Sequence, residues 1–257
     1  MLFRLQKMST PNSNKIIQCK SRFGLGDALI DFIFFSKIAK YIEFNNIEIH
    51  YQCQEKHHSN LEWFNSSPNI KLLPYSDYGY DLWQGSYLHE HNVNQMLCNM
   101  FNDFLRHHKI PIFMDRFEYD DADLLIKHVE SPASNVDILF INSAPKSGQF
   151  IHDKNELNQF IADLSKKYRV AVTERLDNMD GLVSLEKNTV REIAALAKTV
   201  KKVISVNTGP SLGLYNKDVL DNVEVVYILD TTPHYGFQHI RKFVKIFGVK
   251  QLQFLLE

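Results

Sequence analysis

Cysteine is scarce in this chain: Cys19, Cys53 and Cys98 are the only three in 257 residues. They are far apart, odd in number and form no Cys-x-x-Cys pair, which excludes a disulfide framework and a cysteine-built zinc site and favours a reducing, cytoplasmic setting. An excess of charge is missing too, since 29 Lys and Arg face 30 Asp and Glu for a formal net charge of −1. Without a basic surface there is no footprint for general nucleic-acid binding, so any anion must be held locally. No run approaches the roughly 18 to 20 apolar residues that span a bilayer. The opening MLFRLQKMSTPNSNK also lacks the apolar centre of a secretory signal. A soluble protein is expected, with contact at the inner face of a membrane left open. The Gly-Lys-Ser/Thr of a phosphate-binding P-loop is absent as well.

Hydrophobic residues make up 44% and charged residues 23%, enough apolar material for substantial cores. The length suits two domains of ordinary size, and the pattern divides accordingly. In the first half, Lys15 to Cys19 reads as a strand. A loop with Gly24 and Gly26 follows, then a helix carrying Ala28, Leu29, Phe32, Ile33, Phe35, Ile38, Ala39 and Ile42, and then the alternating strand Ile47 to Cys53. Ile70 to Pro74 is another strand. The aromatic stretch YSDYGYDLWQGSYLHEH has no period and reads as a functional loop, and Asn92 caps a helix running towards Pro111. Residues 115–136 are acidic, end in SPASN and read as a connection, which sets the expected domains at 1–134 and 135–257.

The second half again alternates strand and helix. Strands are expected at Asp137 to Asn142, Arg169 to Thr173, Leu182 to Leu185, Val203 to Val206 and Val223 to Leu229, the last of the series. Helices are expected at Asn155 to Tyr168 and Thr189 to Val200, with a terminal helix carrying Ile240, Phe243, Val244 and Ile246. The fold class is therefore α/β, with two Rossmann-like domains facing each other across a cleft and ligands at the C-terminal ends of the strands.

Three loops carry candidate chemistry. RFGLGDALIDF begins a helix at a glycine turn, where free N–H groups and the helix dipole suit an anion. From the residues alone, Asp27 either caps this helix or faces the cleft. The loop is not a dinucleotide fingerprint, because Leu29 stands where close packing needs Gly or Ala, and this disfavours a dehydrogenase or epimerase. In NTGPSLGLYN, Thr208 and Ser211 offer hydroxyls and Gly209 lets backbone N–H groups approach a ligand. Lys146, in SAPKSGQF, is a compact point charge. The paired histidines (His57 with His58, His89 with His91, His107 with His108) have no metal-site spacing. His89, His91 and Tyr87 instead offer stacking surface and hydrogen bonds to a polar ligand.

RFGLGDALIDF and TVREIAALAKTVKKVISVNTGPSLGLYN together resemble the two glycine-turn blocks of glycosyltransferase family 9, the heptosyltransferase-like enzymes. The resemblance implies the GT-B architecture and an inverting transfer of a sugar from a nucleotide-sugar donor to a saccharide or lipid-linked saccharide hydroxyl. Neither a cofactor nor a metal is expected. It implies Asp27 as general base; Arg22, Gly24 and Gly26, with Tyr87 and His89, on the acceptor side; and Lys146, Asn207, Thr208, Gly209, Pro210 and Ser211 at the donor diphosphate. Glu174, with Arg175, would lie near the base or ribose, and His234 would face the donor. Asn207 stands where many members carry Asp, and Leu212 where some carry His, so the donor sugar is not carried over. The alternative is a catalytically inactive nucleotide- or sugar-binding protein of the same fold.

Overall fold

The computed structural model describes residues 15–84, 92–117, 124–145, 150–176, 182–185, 189–232 and 240–257. The first sheet holds β1 (Lys15–Lys20), β2 (Ile47–Cys53), β3 (Ile70–Pro74) and β4 (Tyr80–Asp81) in the order β3-β2-β1-β4, all parallel. Helices α1 (Leu25–Phe44) and α2 (His58–Phe64) connect its strands, and α3 (Val93–His107) follows. α1 buries residues almost all the way round, from Ala28 through Phe32 and Phe35 to Ile42. It packs on Tyr51 of β2 through Phe32 and Phe35, and on Phe101 of α3 through the stacked ring of Phe34.

The second sheet has six strands in the order β10-β9-β8-β5-β6-β7: β5 (Ile138–Ile141), β6 (Val170–Val172), β7 (Val183–Ser184), β8 (Lys202–Val206), β9 (Val225–Leu229) and β10 (Phe243–Ile246). They too are parallel. The helices here are α4 (Lys154–Ser165), α5 (Val190–Ala197) and the short α6 (Lys217–Leu220). Asp153, Thr189 and Asn216 cap them, each side chain accepting a backbone N–H of the first turn.

Both sheets reverse direction at one place. The chain leaves β1 for β2 and β3 on one side and returns to β4 on the other; it leaves β5 for β6 and β7 and returns to β8. Such a switch point opens a crevice at the carboxyl ends of the two central strands. The loop Ser21–Gly24 lies at the first crevice and Asn207–Thr208 at the second.

The halves are joined tightly. One buried cluster runs from Ile17, Phe32 and Phe101 to Val190, Val203 and Leu212. Asn60 of α2 accepts the backbone N–H of Val190 at 2.8 Å. Residues 124–130 are stitched to both sides. Lys127 donates to the carbonyls of Trp63 and Asn65, Leu125 bridges to Asn216, and the Val129 N–H donates to Asp218 at 2.7 Å. Lys198 and that N–H hold the Asp218 carboxyl below the usual carboxylate range.

Three expectations are corrected. Phe243 to Ile246 is a strand, not part of a terminal helix, because it pairs with the outer edge of β9 while burying Phe243 and Ile246; Val223 to Leu229 is therefore not the last strand. The chain then ends in a 3₁₀ segment, Val249–Leu255. Tyr80–Asp81, inside the aromatic stretch, is a strand too short to show a period. α2, which begins at His58, has no counterpart in the sequence reading.

The crossing from β3 to β4 needs glycine at residue 79. Gly79 has φ +100°, and a Cβ there would meet the carbonyl oxygen of Gln18 at 3.0 Å. Gly79→Ala is expected to cost about 2 kcal/mol of unfolding free energy, the scale of a strained backbone site, measured as a shift of the urea midpoint at constant slope.

Candidate functional site

The first crevice is built by the loop that ends β1. The Ser21 N–H donates to the Gln52 carbonyl at 3.0 Å, and Gly24 then caps α1 in extended conformation. At the third helical position the Asp27 Oδ2 accepts the Gly24 N–H at 3.1 Å. Asp27 nevertheless remains half-buried rather than sealed. Capping and facing the crevice are thus compatible. Burial raises the Asp27 carboxyl above its ordinary range, against the opposing pull of the Gly24 N–H and its own backbone N–H. A carboxylate made more basic in this way is better matched to proton abstraction near neutral pH.

Arg22 reaches across to β4, its Nε 3.4 Å from Asp81 Oδ2, and its guanidinium lies over the Phe23 ring. Beside this pair a cavity of about 580 Å³ opens among Gln18, Lys20, Tyr80, Asp81, Gln84 and His107.

The second crevice lies between the ends of β5 and β8. Asn142 ties it on one side, accepting from the Thr173 hydroxyl and the Glu174 N–H and donating to the Glu174 carbonyl. Glu174 itself is exposed at the end of β6. On the other side Asn207 donates through Nδ2 to Asp230, a fully buried carboxylate that also accepts the N–H and hydroxyl of Thr232. Thr208 precedes the 3₁₀ turn Gly209–Leu214, with Pro210 at its start. Ser211 is fully buried, and its hydroxyl donates to the Thr208 carbonyl at 2.5 Å. Ser211 therefore braces the turn instead of offering a free hydroxyl, and Leu212 is buried beside it.

The two glycine turns meet. A Cβ on Gly209 would stand 2.9 Å from the Gly26 nitrogen and 3.0 Å from its Cα, and a Cβ on Gly26 would stand 3.2 Å from the Gly209 Cα. Instead of facing each other across a gap, these backbones are in contact. The start of the 20-residue helix α1, where the dipole's positive end lies, thus abuts the turn at the end of β8. Asp27 is the next residue after that contact.

Lys146, Tyr87, His89, His91 and His234 lie outside the described residues. Among the described residues no group of three or more His, Cys, Asp or Glu could hold a metal ion. No helix among them is long and apolar enough to cross a membrane. Sequence reasoning missed Asp81, Trp83 and Asp230, whose partners are remote in the chain, and also Asp31. For Asp31 a signal existed: an acid inside the apolar run LIDFIFF.

No protein-family model and no curated protein matches the chain. Solved structures do. E. coli heptosyltransferase WaaC with ADP aligns over 93% of this chain and 96% of its own at 12% identity, with a TM-score of 0.52. The glycosyl transferase family 9 protein from Veillonella parvula aligns over 95% and 89% at 12% identity and TM-score 0.51. The iron-containing dodecameric glycosyltransferase TibC from enterotoxigenic E. coli aligns over 92% and 64% at 9% identity and TM-score 0.54. This chain has the fold of those enzymes, the GT-B architecture of heptosyltransferase-like glycosyltransferases.

Proposed function

We propose that this protein is an inverting glycosyltransferase that moves a sugar from a nucleotide-sugar to a hydroxyl of a saccharide or lipid-linked saccharide. The observation that supports the reading is the meeting of Gly26 and Gly209, since Asp27, half-buried and raised in basicity, follows Gly26 directly in the chain and Thr208 precedes Gly209. Residues 1–134 would take the acceptor and residues 135–257 the donor. The cavity beside Asp81 gives the acceptor room.

Asp27 takes the proton from the acceptor hydroxyl as its oxygen attacks the anomeric carbon. The bond from that carbon to the diphosphate breaks, and the nucleoside diphosphate leaves with the electron pair. Inversion follows from attack opposite the leaving group. Backbone N–H groups at the start of α1 and in the Thr208–Gly209 turn, together with the charge of Lys146, stabilise the departing anion, so the reaction requires no metal. Arg22 orients the acceptor from its anchor on Asp81.

The test is incubation with ADP-heptose, ADP-glucose, UDP-glucose and GDP-mannose, with release of the nucleoside diphosphate followed. The structural neighbours crystallised with ADP and an ADP-heptose analogue make the ADP-sugars the first choice. Slow hydrolysis or transfer of one donor supports the enzyme. Binding of a donor without consumption would leave only the inactive alternative, and no binding at all would remove the reading.

A further inference from the structure

Asp31 lies in the middle of α1, fully buried between Leu29 and Phe32. A carboxyl in such a place is costly unless donors meet it. Two meet it: the Tyr51 hydroxyl donates to Oδ2 at 2.6 Å, and the Trp83 indole N–H donates to Oδ1 at 3.0 Å. Tyr51 stands on β2 and Trp83 just past β4, so the acid ties together the strands on both sides of β1.

Among the described residues, the groups that face it do not balance its charge. Asp27 on its own helix and Asp81 from β4 repel a carboxylate at Asp31; Cys19 from β1 and Cys53 and Tyr51 from β2 are acids pushed up first by burial and then by its charge. Burial, above all, holds the Asp31 carboxyl well above the ordinary range, while its two donors pull the other way. The folded protein therefore binds this proton more tightly than the unfolded chain does. The resulting cost to stability is absent below the ordinary carboxylate pKa and grows as pH rises through the folded value. An apolar side chain would fill this site more cheaply, so the acid calls for an explanation other than packing.

The explanation lies in what Trp83 holds. Its ring meets Phe23 edge-on at 5.9 Å, and its backbone N–H donates to Asp81 Oδ1 at 3.0 Å. Asp81 in turn holds Arg22, whose guanidinium covers Phe23. The circuit closes on Arg22 and Phe23, and the next residue, Gly24, gives its N–H to Asp27. We propose that Asp31 is a positioning residue: by fixing Trp83 it fixes the loop Arg22–Gly24 and so aims the Asp27 carboxylate into the crevice, without touching substrate itself. The inference about aim rests on Asp27 being the base.

Two variants of the full chain test it. Asp31→Asn keeps an acceptor for Trp83 and supplies a donor to Tyr51, and should retain kcat within about threefold. The triple variant Asp31→Leu, Tyr51→Phe, Trp83→Phe replaces the network with apolar groups, the phenyl at 83 being smaller than the indole, so its thermal midpoint should fall by no more than a small core cavity costs. Its loop should loosen nonetheless. Amides 22–26 should exchange with deuterium faster than in the wild type while α5 is unchanged, and kcat with the active donor should fall about 10- to 100-fold at nearly constant donor KM. Wetting of Asp27 should also carry the acid limb of the pH profile to lower pH.

Unaltered exchange at 22–26 in the triple variant would overturn the proposal, as would a kcat loss accompanied by an equal loss of midpoint and a matching rise in KM. Faster exchange at 22–26 in a protein for which neither the wild type nor a variant turns over any nucleotide-sugar would uphold the tether and sink the sugar-transfer reading.

Discussion

Asp27→Asn is expected to lower turnover about 10²-fold or more, the usual scale for removing a general base, while leaving nucleotide binding unchanged. Asparagine keeps the size of the side chain and an oxygen to accept the Gly24 N–H, so the cap that Asp27 makes at 3.1 Å survives. Only the proton acceptor is lost, which separates catalysis from helix capping in a single substitution. In the wild type the acid limb of kcat/KM should lie above the ordinary carboxylate value, because burial raises the folded pKa of Asp27 and the base works only when ionised. Activity therefore falls as pH drops through that raised value, and this limb should be missing from the residual activity of the variant. Wild-type turnover in Asp27→Asn would end the assignment.

Gly209→Ala should be nearly as damaging for a different reason. The new Cβ would lie 2.9 Å from the Gly26 nitrogen, and both neighbours within 3.0 Å are backbone atoms that no rotamer change can move. The two turns must separate, and a misplacement of about 1 Å between reacting groups costs on the order of 10²-fold in rate. Gly26→Ala, whose Cβ would stand 3.2 Å from the Gly209 Cα, needs a smaller adjustment and should lose less. The predicted order of kcat is wild type, Gly26→Ala, Gly209→Ala. Folding should survive in both, because the joint between the halves also rests on Asn60, Lys127 and the buried cluster. Equal rates for the two alanine variants and the wild type would show that the contact plays no part in turnover.

Much of the architecture was legible because it rests on local pattern. The switch to a broad helical stripe after Gly24 marks β1 and α1, the cap at Asn92 marks the start of α3, and the apolar stripe from Thr189 marks α5. The turns that carry the candidates Arg22, Gly24, Gly26, Asp27, Asn207, Thr208 and Gly209 were legible for the same reason: a strand that ends in a glycine turn leaves a recognisable trace. β10 was not. The spacing of Ile240, Phe243, Val244 and Ile246 suits a helix as well as a strand, and the choice was made by the open edge of β9, whose unpaired N–H and C=O groups the segment satisfies. At Ser211, a hydroxyl written in a turn motif does not reveal that it folds back onto the carbonyl of Thr208.

By itself, then, the sequence determined an alternating α/β chain with a glycine turn at the head of each half, since strand and helix periods and turn chemistry are short-range properties. Only the tertiary structure decided that Gly26 and Gly209 touch, that Asp230 commits the amide of Asn207, and that Asp31 reaches Trp83, 52 positions away, behind the proposed base. Contacts of that kind depend on how two sheets pack, and packing follows from the burial of the whole apolar surface rather than from any one stretch of residues.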